Sequence, residues 1–354
     1  MAASWLSAAG RVANRKLNAV EVRLRRARLL SYPVSLMLET TNRCNSWCMM
    51  CLHPRYRREH SVEFGDMSMD VFRLSKPFWR WATDVCLGGN GEPFLNGDHV
   101  AMARELKAAG AFVHTFSNGI ALEPALSEDL VRLGYDLVHI SLDGACAETY
   151  ARIRGVDEFE RVVENLRAMR EAKMRHGASK PAMRFNITAT RSSLRELAGT
   201  VRIASELGVD GVDVHHLDVY NPEVAPESPW LDVPEAAGWL DEAAEAGRRL
   251  GVEVNLPVFD EHEAFCTAPF RNLDVRWDGV VSTCTGYRFL VGDLTRESPS
   301  EVWNGTAMRS VRKRVWQEGY ESVCPGCTVW SRRAANYLGA AERTRSEDLR
   351  NALG

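Results

Sequence analysis

Three closely spaced cysteines near the start of the chain most strongly constrain what it can fold into. Cys44, Cys48 and Cys51 follow a short apolar run that ends at Leu38. Thiolates are soft ligands that suit iron-sulfur clusters, and three of them on one loop leave the fourth corner of a cluster without a protein ligand. A structural zinc ion is the alternative, although structural zinc sites usually have four protein ligands. The spacing therefore favours an iron-sulfur cluster with one open iron and leaves zinc as the second interpretation.

The sequence around this loop resembles the radical S-adenosylmethionine (SAM) superfamily. The resemblance is carried by Glu39-Thr40-Thr41-Asn42-Arg43, which leads directly into the three cysteines. In that superfamily the open iron of a [4Fe-4S] cluster is chelated by the amino and carboxylate groups of SAM. The resemblance implies that the three cysteines bind such a cluster. It also implies that one electron from the cluster cleaves SAM to methionine and a 5'-deoxyadenosyl radical, which abstracts hydrogen from a substrate.

Later segments resemble the SAM-binding motifs of the same superfamily. Gly88-Gly89-Asn90-Gly91-Glu92-Pro93 follows the second predicted strand and is similar to the glycine-glycine-glutamate motif that binds the amino group of SAM. Glycine lets the backbone come close to a ligand there. Met50 stands where many relatives have an aromatic residue that touches the adenine, and methionine still offers a polarizable apolar contact. The residues that the resemblance assigns to SAM binding are Met50, Gly89, Glu92, Ser117, Asn118, Ser141, Asp143 and Arg154.

A second set of cysteines near the C-terminus can enclose another metal centre. Its members are Cys266, Cys284, Cys324 and Cys327. Four thiolates can hold either a cluster or a tetrahedral zinc ion, and their spacing does not choose between the two. The segments between them, which include Trp277-Asp278-Gly279 and Trp303-Asn304, resemble the twitch form of the SPASM extension of radical SAM enzymes. That resemblance implies one auxiliary [4Fe-4S] cluster held by all four cysteines.

Short β-rich segments alternate with helical ones from residue 33 to residue 217, which predicts strand-helix units around a parallel sheet. The predicted strands are 34–38, 84–87, 112–116, 137–142, 183–190 and 212–217. The predicted helices between them are 68–81, 99–109, 124–133, 158–175 and 194–207. Six units are too few to close an eight-stranded barrel, so the pattern predicts an α/β protein with an open, TIM-like partial (β/α)6 barrel. The loops at the C-terminal ends of its strands would form the catalytic face.

The rest of the chain divides around this predicted barrel. Residues 1–31 carry many arginines against one acid, Glu21, and predict a basic amphipathic helix that packs on the barrel exterior. A membrane-surface or partner-binding helix and a transit peptide are the alternatives. Residues 32–233 are the predicted barrel, and residues 336–354 form a charged tail. Residues 234–335 are the predicted cluster module, in which an Asp278-Gly279 turn joins two short strands of a hairpin and residues 303–316 form a helix.

Composition excludes several classes of function. A net charge of -3 over 354 residues provides none of the basic surface expected of a nucleic-acid-binding domain. No apolar run reaches the length of a membrane span. Nine cysteines without a secretory signal are typical of metal ligation in a reducing compartment, so we expect a cytoplasmic location.

Strand parity indicates which side chains line the barrel. Alternate side chains on a strand face opposite ways, so His139, Ser141 and Asp143 share one face. The same alternation puts polar residues of the fifth and sixth strands on the inner face, where His215 is the best candidate for a substrate-side acid, base or hydrogen-bonding group. The alternative interpretation is a structural histidine whose ring is hydrogen-bonded within the barrel wall. A wall of this kind suits a polar substrate.

These features lead to a radical SAM oxidoreductase as the main functional hypothesis. The resemblance to twitch-containing aminocyclitol dehydrogenases implies a small polar substrate, such as a sugar or aminocyclitol, and an auxiliary cluster that accepts its second electron. A reducing partner such as flavodoxin or ferredoxin would supply electrons. Modification of a peptide, and epimerisation or decarboxylation of a sugar, are the alternatives within the enzyme class. A zinc scaffold that catalyses nothing is the alternative from another class.

Overall fold

The computed structural model describes residues 2–51, 62–219, 222–263, 265–284, 289–324, 327 and 331–332. The predicted tail, residues 336–354, lies outside the described residues. Ten strands form one sheet in the order β11-β10-β9-β1-β2-β3-β4-β5-β6-β7, and β8 pairs with β12 separately. The strands are β1 Ser35–Leu38, β2 Asp84–Leu87, β3 Phe112–Ser117, β4 Leu137–Ile140, β5 Ala182–Ala189, β6 Gly211–His216, β7 Glu253–Asn255, β8 His262–Glu263, β9 Asn272–Val275, β10 Val280–Ser282, β11 Leu290–Asp293 and β12 Ser331–Arg332.

Helices follow the successive strands of this sheet. They are α1 Ala2–Arg23, α2 Met69–Leu74, α3 Lys76–Trp79, α4 His99–Ala108, α5 Pro124–Leu133, α6 Ala147–Arg154, α7 Phe159–Arg175, α8 Arg191–Arg195, α9 Leu197–Leu207, α10 Val233–Leu250, α11 Ala268–Arg271, α12 Pro299–Asn304, α13 Thr306–Gln317 and α14 Tyr320–Val323. Strands β1 to β7 pair in parallel, each with the next in the chain. The predicted open parallel sheet of an α/β partial barrel is therefore confirmed.

Burial alternates along the strands as parity predicted. In β5 the residues Met183, Phe185 and Ile187 are fully buried, whereas the residues between them are only half-buried. Val138 and Ile140 of β4 are buried on the same side of the sheet. The apolar face therefore packs against the helix layer, and the polar face lines the concave interior.

The sheet is wider than predicted at both ends. Beyond the six predicted strands, β7 pairs in parallel with β6, so the sheet continues past residue 233. At the other side β9 pairs in parallel with β1, and β10 then runs antiparallel to β9. The first strand of the predicted hairpin is thus also a neighbour of the first barrel strand. The boundaries proposed between domains stay predictions.

Three helices predicted as continuous are interrupted. Helix 68–81 is divided at Ser75, because Pro77 lacks the N–H that a continuous helix needs. Helix 303–316 is divided at Gly305, where the backbone is extended. Helix 194–207 is preceded by the separate short helix α8, whose Thr190 and Ser193 form a capping box. Helix α6, which lies between β4 and α7, was not predicted.

Candidate active site

The cysteine loop after β1 is fixed by the end of helix α6. The backbone N–H of Trp47 donates to the Arg154 carbonyl over 3.1 Å, and that of Met49 donates to the Ile153 carbonyl over 2.9 Å. Helix α6 ends at Gly155, whose φ of 70° is in the left-handed region. A Cβ at Gly155 would lie 2.5 Å from the Trp47 carbonyl oxygen, so glycine is required for this close approach.

The glycine-rich loop after β2 packs directly on the same cysteine loop. Glu92 donates its backbone N–H to the Arg43 carbonyl over 2.8 Å. A Cβ at Gly91 would lie 2.5 Å from the carbonyl oxygens of both Thr41 and Arg43. Gly89 is exposed at this edge of the sheet, and a Cβ there would collide with the Glu39 side chain. The loop therefore needs its glycines to reach the backbone of the cysteine loop.

Glu92 is the centre of a buried hydrogen-bond network between two strand ends. Its carboxylate accepts from the Ser117 hydroxyl over 2.8 Å and from the Asn118 backbone N–H over 2.7 Å. The Asn118 amide donates in turn to Asn45 and Ser46 of the cysteine loop, over 2.7 and 3.0 Å. Burial raises the pKa of Glu92, while these hydrogen bonds oppose the rise. The network joins the ends of β2 and β3 to the loop that carries the cysteines.

Asp143 and Arg154 form a buried ion pair on the other side of the loop. Arg154 donates to the Asp143 carboxylate over 3.0 Å, and Asp143 also accepts from the Thr188 backbone N–H over 2.7 Å. Burial raises the pKa of Asp143, and the charge of Arg154 opposes this rise. The pKa of Arg154 is raised, since the charges of Cys48 and Asp143 outweigh the cost of its burial. The pair therefore brings a fixed positive charge close to the cysteines.

The first three cysteines differ in their exposure. Cys48 is buried, Cys44 is half-buried and Cys51 is exposed. Burial raises the pKa of Cys44 to about 11 and also raises the pKa of Cys48. A buried thiolate needs positive charge beside it, so this donor set fits a cationic metal centre. In the described parts of the chain no three histidine, cysteine or carboxylate side chains stand in metal-binding geometry. The assignment of individual cysteines as ligands therefore stays a prediction.

Polar atoms around the loop also fit SAM. The Arg154 Nε and the Tyr150 hydroxyl are buried and find no hydrogen-bond partner within the part of the chain that the structure describes. An amino acid carboxylate or a ribose hydroxyl would give them partners. Ser141, half-buried after β4, donates its backbone N–H to the Ser117 carbonyl over 2.8 Å. Met50 is half-buried against an apolar cluster that includes Leu217.

Three of the four later cysteines lie near one another. Burial raises the pKa of Cys266 to about 12, and the charges of Cys327 and Cys284 add to the rise. The Cys327 backbone N–H donates to the Cys324 carbonyl over 3.1 Å, so the backbones of these two cysteines lie close together. All four thiols are half-buried. Cys266 therefore has Cys284 and Cys327 in its surroundings, and the ligand roles of all four cysteines stay a prediction.

Glu39 links the two cysteine-bearing regions. It is buried, and its carboxylate accepts from the Asn90 backbone N–H over 3.2 Å and from the Trp277 backbone N–H over 3.4 Å. Its own backbone N–H donates to the Val275 carbonyl over 2.8 Å. Glu39 directly follows the strand before the first cysteines. Its carboxylate contacts the glycine-rich loop and the hairpin that leads to Cys284, and its backbone contacts β9 of the same hairpin. This role of Glu39 was not predicted from the sequence, although an acid directly after a buried strand is a signal of such a role.

Aromatic and charged side chains cover the concave wall below this site. The rings of Phe116 and His139 stack with centroids 4.3 Å apart, and His114 contacts both rings edge-on. Arg184 donates to both oxygens of Asp213, over 2.6 and 2.8 Å. Burial, followed by the charge of His114, lowers the pKa of His139 to about 4, so this ring is neutral near pH 7.

His215 lies further along the same wall. It is exposed on β6, in register with Thr188 of β5. The role predicted for His215, that of a substrate-side acid, base or hydrogen-bonding group, is not tested by this position and stays a prediction. His114 and Phe116 were not predicted as site residues, although the period of two along β3 puts Phe112, His114 and Phe116 on one face. Phe112 and Phe116 are 43% and 38% exposed, which is unusual for the inner side chains of a sheet.

Fold and site together define a SAM-binding iron-sulfur protein built on an open parallel barrel. Residues 38–183 match the profile of the Radical SAM superfamily, and residues 266–328 match that of SPASM, an iron-sulfur cluster-binding domain. The chain belongs to the radical SAM superfamily and carries a C-terminal SPASM-type cluster domain. It is therefore an enzyme that binds SAM and a [4Fe-4S] cluster, together with an auxiliary iron-sulfur cluster. The predicted family and cofactors are confirmed.

Similar proteins cover most of the chain. The tungsten-containing aldehyde ferredoxin oxidoreductase cofactor-modifying protein of Pyrococcus furiosus is 26% identical over 85% of this chain and 88% of its own length. The AdoMet-dependent heme synthase of Methanosarcina barkeri is 25% identical over 83% of this chain and 91% of its own length. The structure of Streptococcus suis SuiB bound to S-adenosylmethionine superposes with a TM-score of 0.63 at 15% identity, over 84% of this chain and 71% of SuiB. That likeness concerns the fold. In the described regions, no helix combines the length and apolarity needed to cross a bilayer.

Proposed function

We propose that the protein is a radical SAM oxidoreductase that oxidises a small polar molecule bound against the concave wall. The observation that carries this proposal is the composition of that wall next to the SAM-binding loops. Arg184 and Asp213 are 16% and 14% exposed in their side chains, and His139 lies 3.8 Å from the Asp213 carboxylate. Partly exposed charged and aromatic groups inside a barrel suit a ligand with hydroxyl or amine groups.

Different residues of the chain would bind the cluster and the separate groups of SAM. Cys44, Cys48 and Cys51 are the proposed cluster ligands. Glu92 is buried and its carboxyl oxygens accept hydrogen bonds from Ser117 and Asn118, so it suits an ammonium group, and Arg154 suits a carboxylate. SAM bound by these residues would supply a 5'-deoxyadenosyl radical that removes a hydrogen atom from a substrate carbon.

Oxidation of an alcohol then needs an acceptor for one proton and one electron. His215 is the proposed proton acceptor, because it lies exposed on the inner wall and an imidazole within hydrogen-bond reach of a hydroxyl can act as a general base. The neutral His139 would orient the substrate by hydrogen bonding. Cys266, Cys284, Cys324 and Cys327 are the proposed ligands of the auxiliary cluster, which would accept the electron. The substrate thereby loses a hydrogen atom, a proton and an electron, which together make a two-electron oxidation.

The curated relatives support a small molecule as the substrate. One is named as a cofactor-modifying protein and the other as a heme synthase, and both match this chain over more than four fifths of its length. Both names describe small-molecule chemistry. The exposed Phe112 and Phe116 add an apolar surface on which the flat side of a ring can lie.

The double variant Cys324→Ala/Cys327→Ala tests this proposal. Incubation with SAM, a chemical reductant and a small-molecule extract from anaerobic cells should form 5'-deoxyadenosine in the wild type together with a compound two hydrogens lighter than its precursor. The double variant should still form 5'-deoxyadenosine, and the oxidised compound should be lost. Unimpaired formation of the oxidised compound by the double variant would rule out the auxiliary cluster as the electron acceptor.

A further inference from the structure

A basic groove lies between helix α1 and helix α11. It is about 390 Å³ in volume, and its lining includes four cations and the residue next to Cys266. The cations are Arg15, Lys16, Arg23 and Arg271, and the neighbour of Cys266 is Thr267. We call this feature the basic groove. Its positive charge contrasts with the net charge of -3 of the whole chain.

The cations of the basic groove are available to a partner. All four are exposed, and none of them makes an ion pair with another described residue. The single acid of α1, Glu21, points inward and is 1% exposed. Its carboxylate accepts from the backbone N–H groups of Leu30 and Ser31 over 2.7 and 3.0 Å. The outer surface of the helix therefore carries positive charge without a compensating acid of its own.

Short contacts connect this surface to the proposed auxiliary ligands. Thr267 follows Cys266 directly and lines the groove. On the other side of Cys266, Phe265 stacks on Trp316 with ring centroids 3.6 Å apart. The exposed guanidinium of Arg25, just after α1, lies 4.6 Å from the centre of the Trp316 ring. A protein docked on α1 would therefore sit within one side-chain layer of Cys266.

Helix α1 is rigidly attached at this position. Asn18 is 1% exposed, and its amide donates to the Phe270 carbonyl over 2.6 Å and to the Ser31 hydroxyl over 3.0 Å. Asn14 donates to the Tyr32 carbonyl over 3.1 Å. Because buried amides fix its inner face, the helix holds its cations in one arrangement, which favours docking of a complementary protein surface.

We propose that the basic groove is the docking site for a small acidic electron-carrier protein of the flavodoxin or ferredoxin class, which exchanges single electrons with the auxiliary cluster. This inference rests on the proposed role of Cys266 and its partners as cluster ligands. In the forward transfer the reduced carrier loses one electron and the cluster gains it, and in the reverse transfer the carrier regains it. No bond is made or broken, so the step needs proximity, charge complementarity for docking, and reduction potentials of carrier and cluster that permit the transfer.

An anionic membrane surface is the competing partner for a basic amphipathic helix. The exposed apolar residues Leu17 and Val20 of α1, together with Leu24 just after it, follow helical spacing along one side. Arg15 and Val22, which line the groove, lie on another side of the helix. The groove itself is a concave site between α1 and α11 beside Cys266, whereas a membrane-surface helix presents its apolar side to the lipid, so the geometry favours a protein partner.

Charge reversal tests the docking site. The groove variant carries Arg15→Glu, Lys16→Glu, Arg23→Glu and Arg271→Glu. The matched control variant carries Arg104→Glu, Arg167→Glu, Arg202→Glu and Arg249→Glu, which are exposed arginines of the outer helix layer, so the change in net charge is equal. Iron content and SAM binding establish that each variant holds its clusters. The probe is a purified acidic flavodoxin, whose affinity is measured anaerobically by calorimetry without SAM or substrate.

We expect the groove variant to bind flavodoxin at least about tenfold more weakly than wild type and the control variant to stay within about twofold. The rate at which reduced flavodoxin loses one electron to the oxidised protein should fall in parallel. Wild-type affinity should weaken as salt is added. In Cys324→Ala/Cys327→Ala, flavodoxin should bind as to wild type, while the electrons accepted per protein should decrease.

Other outcomes would overturn the proposal. Equal loss of affinity in the groove and control variants would mean that only overall charge matters. Unchanged flavodoxin binding, with loss of binding to phosphatidylserine vesicles in the groove variant, would assign the surface to a membrane. Because the binding assay contains no substrate, a failure of the proposed oxidation would leave the flavodoxin result standing, so the two failures are distinguishable.

Discussion

At the scale of single residues, Gly91 is the position where the SAM-binding loop has the least room. Substitution by alanine would bring Cβ within 2.5 Å of two backbone carbonyl oxygens of the cysteine loop, and backbone cannot move aside cheaply. We expect Gly91→Ala to destabilise the protein by about 1–3 kcal/mol and to lower its SAM affinity and iron content. Thermal unfolding, iron analysis and calorimetry with SAM measure these effects.

Gly238→Ala is the matched control for this substitution. Gly238 lies exposed in helix α10, and a Cβ there would meet nothing within 4 Å. Alanine in a helix interior is favoured over glycine by about 0.5–1 kcal/mol, so this variant should be slightly more stable than wild type and bind SAM normally. Equal effects of the two substitutions would contradict the close approach between the two loops.

Asp274 is a buried carboxyl group that should make stability depend on pH. It lies on β9 beside β1, and burial, followed by the charge of Glu39, raises its pKa to about 7. The folded protein therefore keeps a proton that the unfolded chain releases above about pH 4. Stability should consequently fall as pH rises from about 4 to about 7, by at most about 1.4 kcal/mol per pH unit for this group, and level off above.

The variant Asp274→Asn should lack this contribution. We expect the thermal unfolding midpoint of Asp274→Asn to increase relative to that of wild type between pH 5.5 and pH 7.5, measured anaerobically. The amide has nearly the same shape and carries no titrating proton. A constant difference between the two proteins over this range would show that Asp274 titrates near its ordinary value.

At the scale of elements, Arg312 of α13 holds the segment after α1 against the cluster domain. It is fully buried, and its guanidinium donates to the Pro269 carbonyl over 2.9 Å and to the Ala27 carbonyl over 3.0 Å. Arg312→Met would fill the same space but leave these acceptors unsatisfied. We expect a loss of about 2–4 kcal/mol in unfolding free energy. Denaturant unfolding measures it.

Lys313→Met tests whether that loss depends on burial. Lys313 is the next residue of the same helix and is exposed, so its substitution should change stability by less than about 0.5 kcal/mol. If the two methionine variants were equally stable, the carbonyl contacts of Arg312 would contribute nothing and the attachment of α1 would need another explanation.

The sequence predicted those elements that depend on local patterns. Period-two strands, the cysteine loops and the glycine-rich loop are encoded by neighbouring residues, so the open parallel sheet and the positions of Glu92 and Asp143 could be foreseen. The pairing of β9 with β1 could not, because it joins segments far apart in the chain through backbone groups that every residue carries. The side-chain contacts of Asn118 with Asn45 and Ser46 were missed because they too join segments far apart in the chain.

At the scale of the whole molecule, one continuous sheet carries both cysteine-bearing regions. The first cysteine loop follows β1, and β9 and β10 extend the same sheet toward Cys284. A shared sheet fixes the separation of two redox centres better than a flexible linker would, because neighbouring strands are held at about 4.8 Å. This arrangement supports an electron path between the two regions and explains why Glu39 can contact both.

The central claim is that the first cysteine loop leaves one iron open to SAM. The most direct measurement is the amount of 5'-deoxyadenosine released from SAM by reconstituted, chemically reduced protein without oxygen, compared between wild type and Cys48→Ala. We predict release by wild type and a loss of at least about a hundredfold in Cys48→Ala, since the buried thiolate is a proposed ligand. Absence of release by the wild type, or undiminished release by Cys48→Ala, would contradict the account.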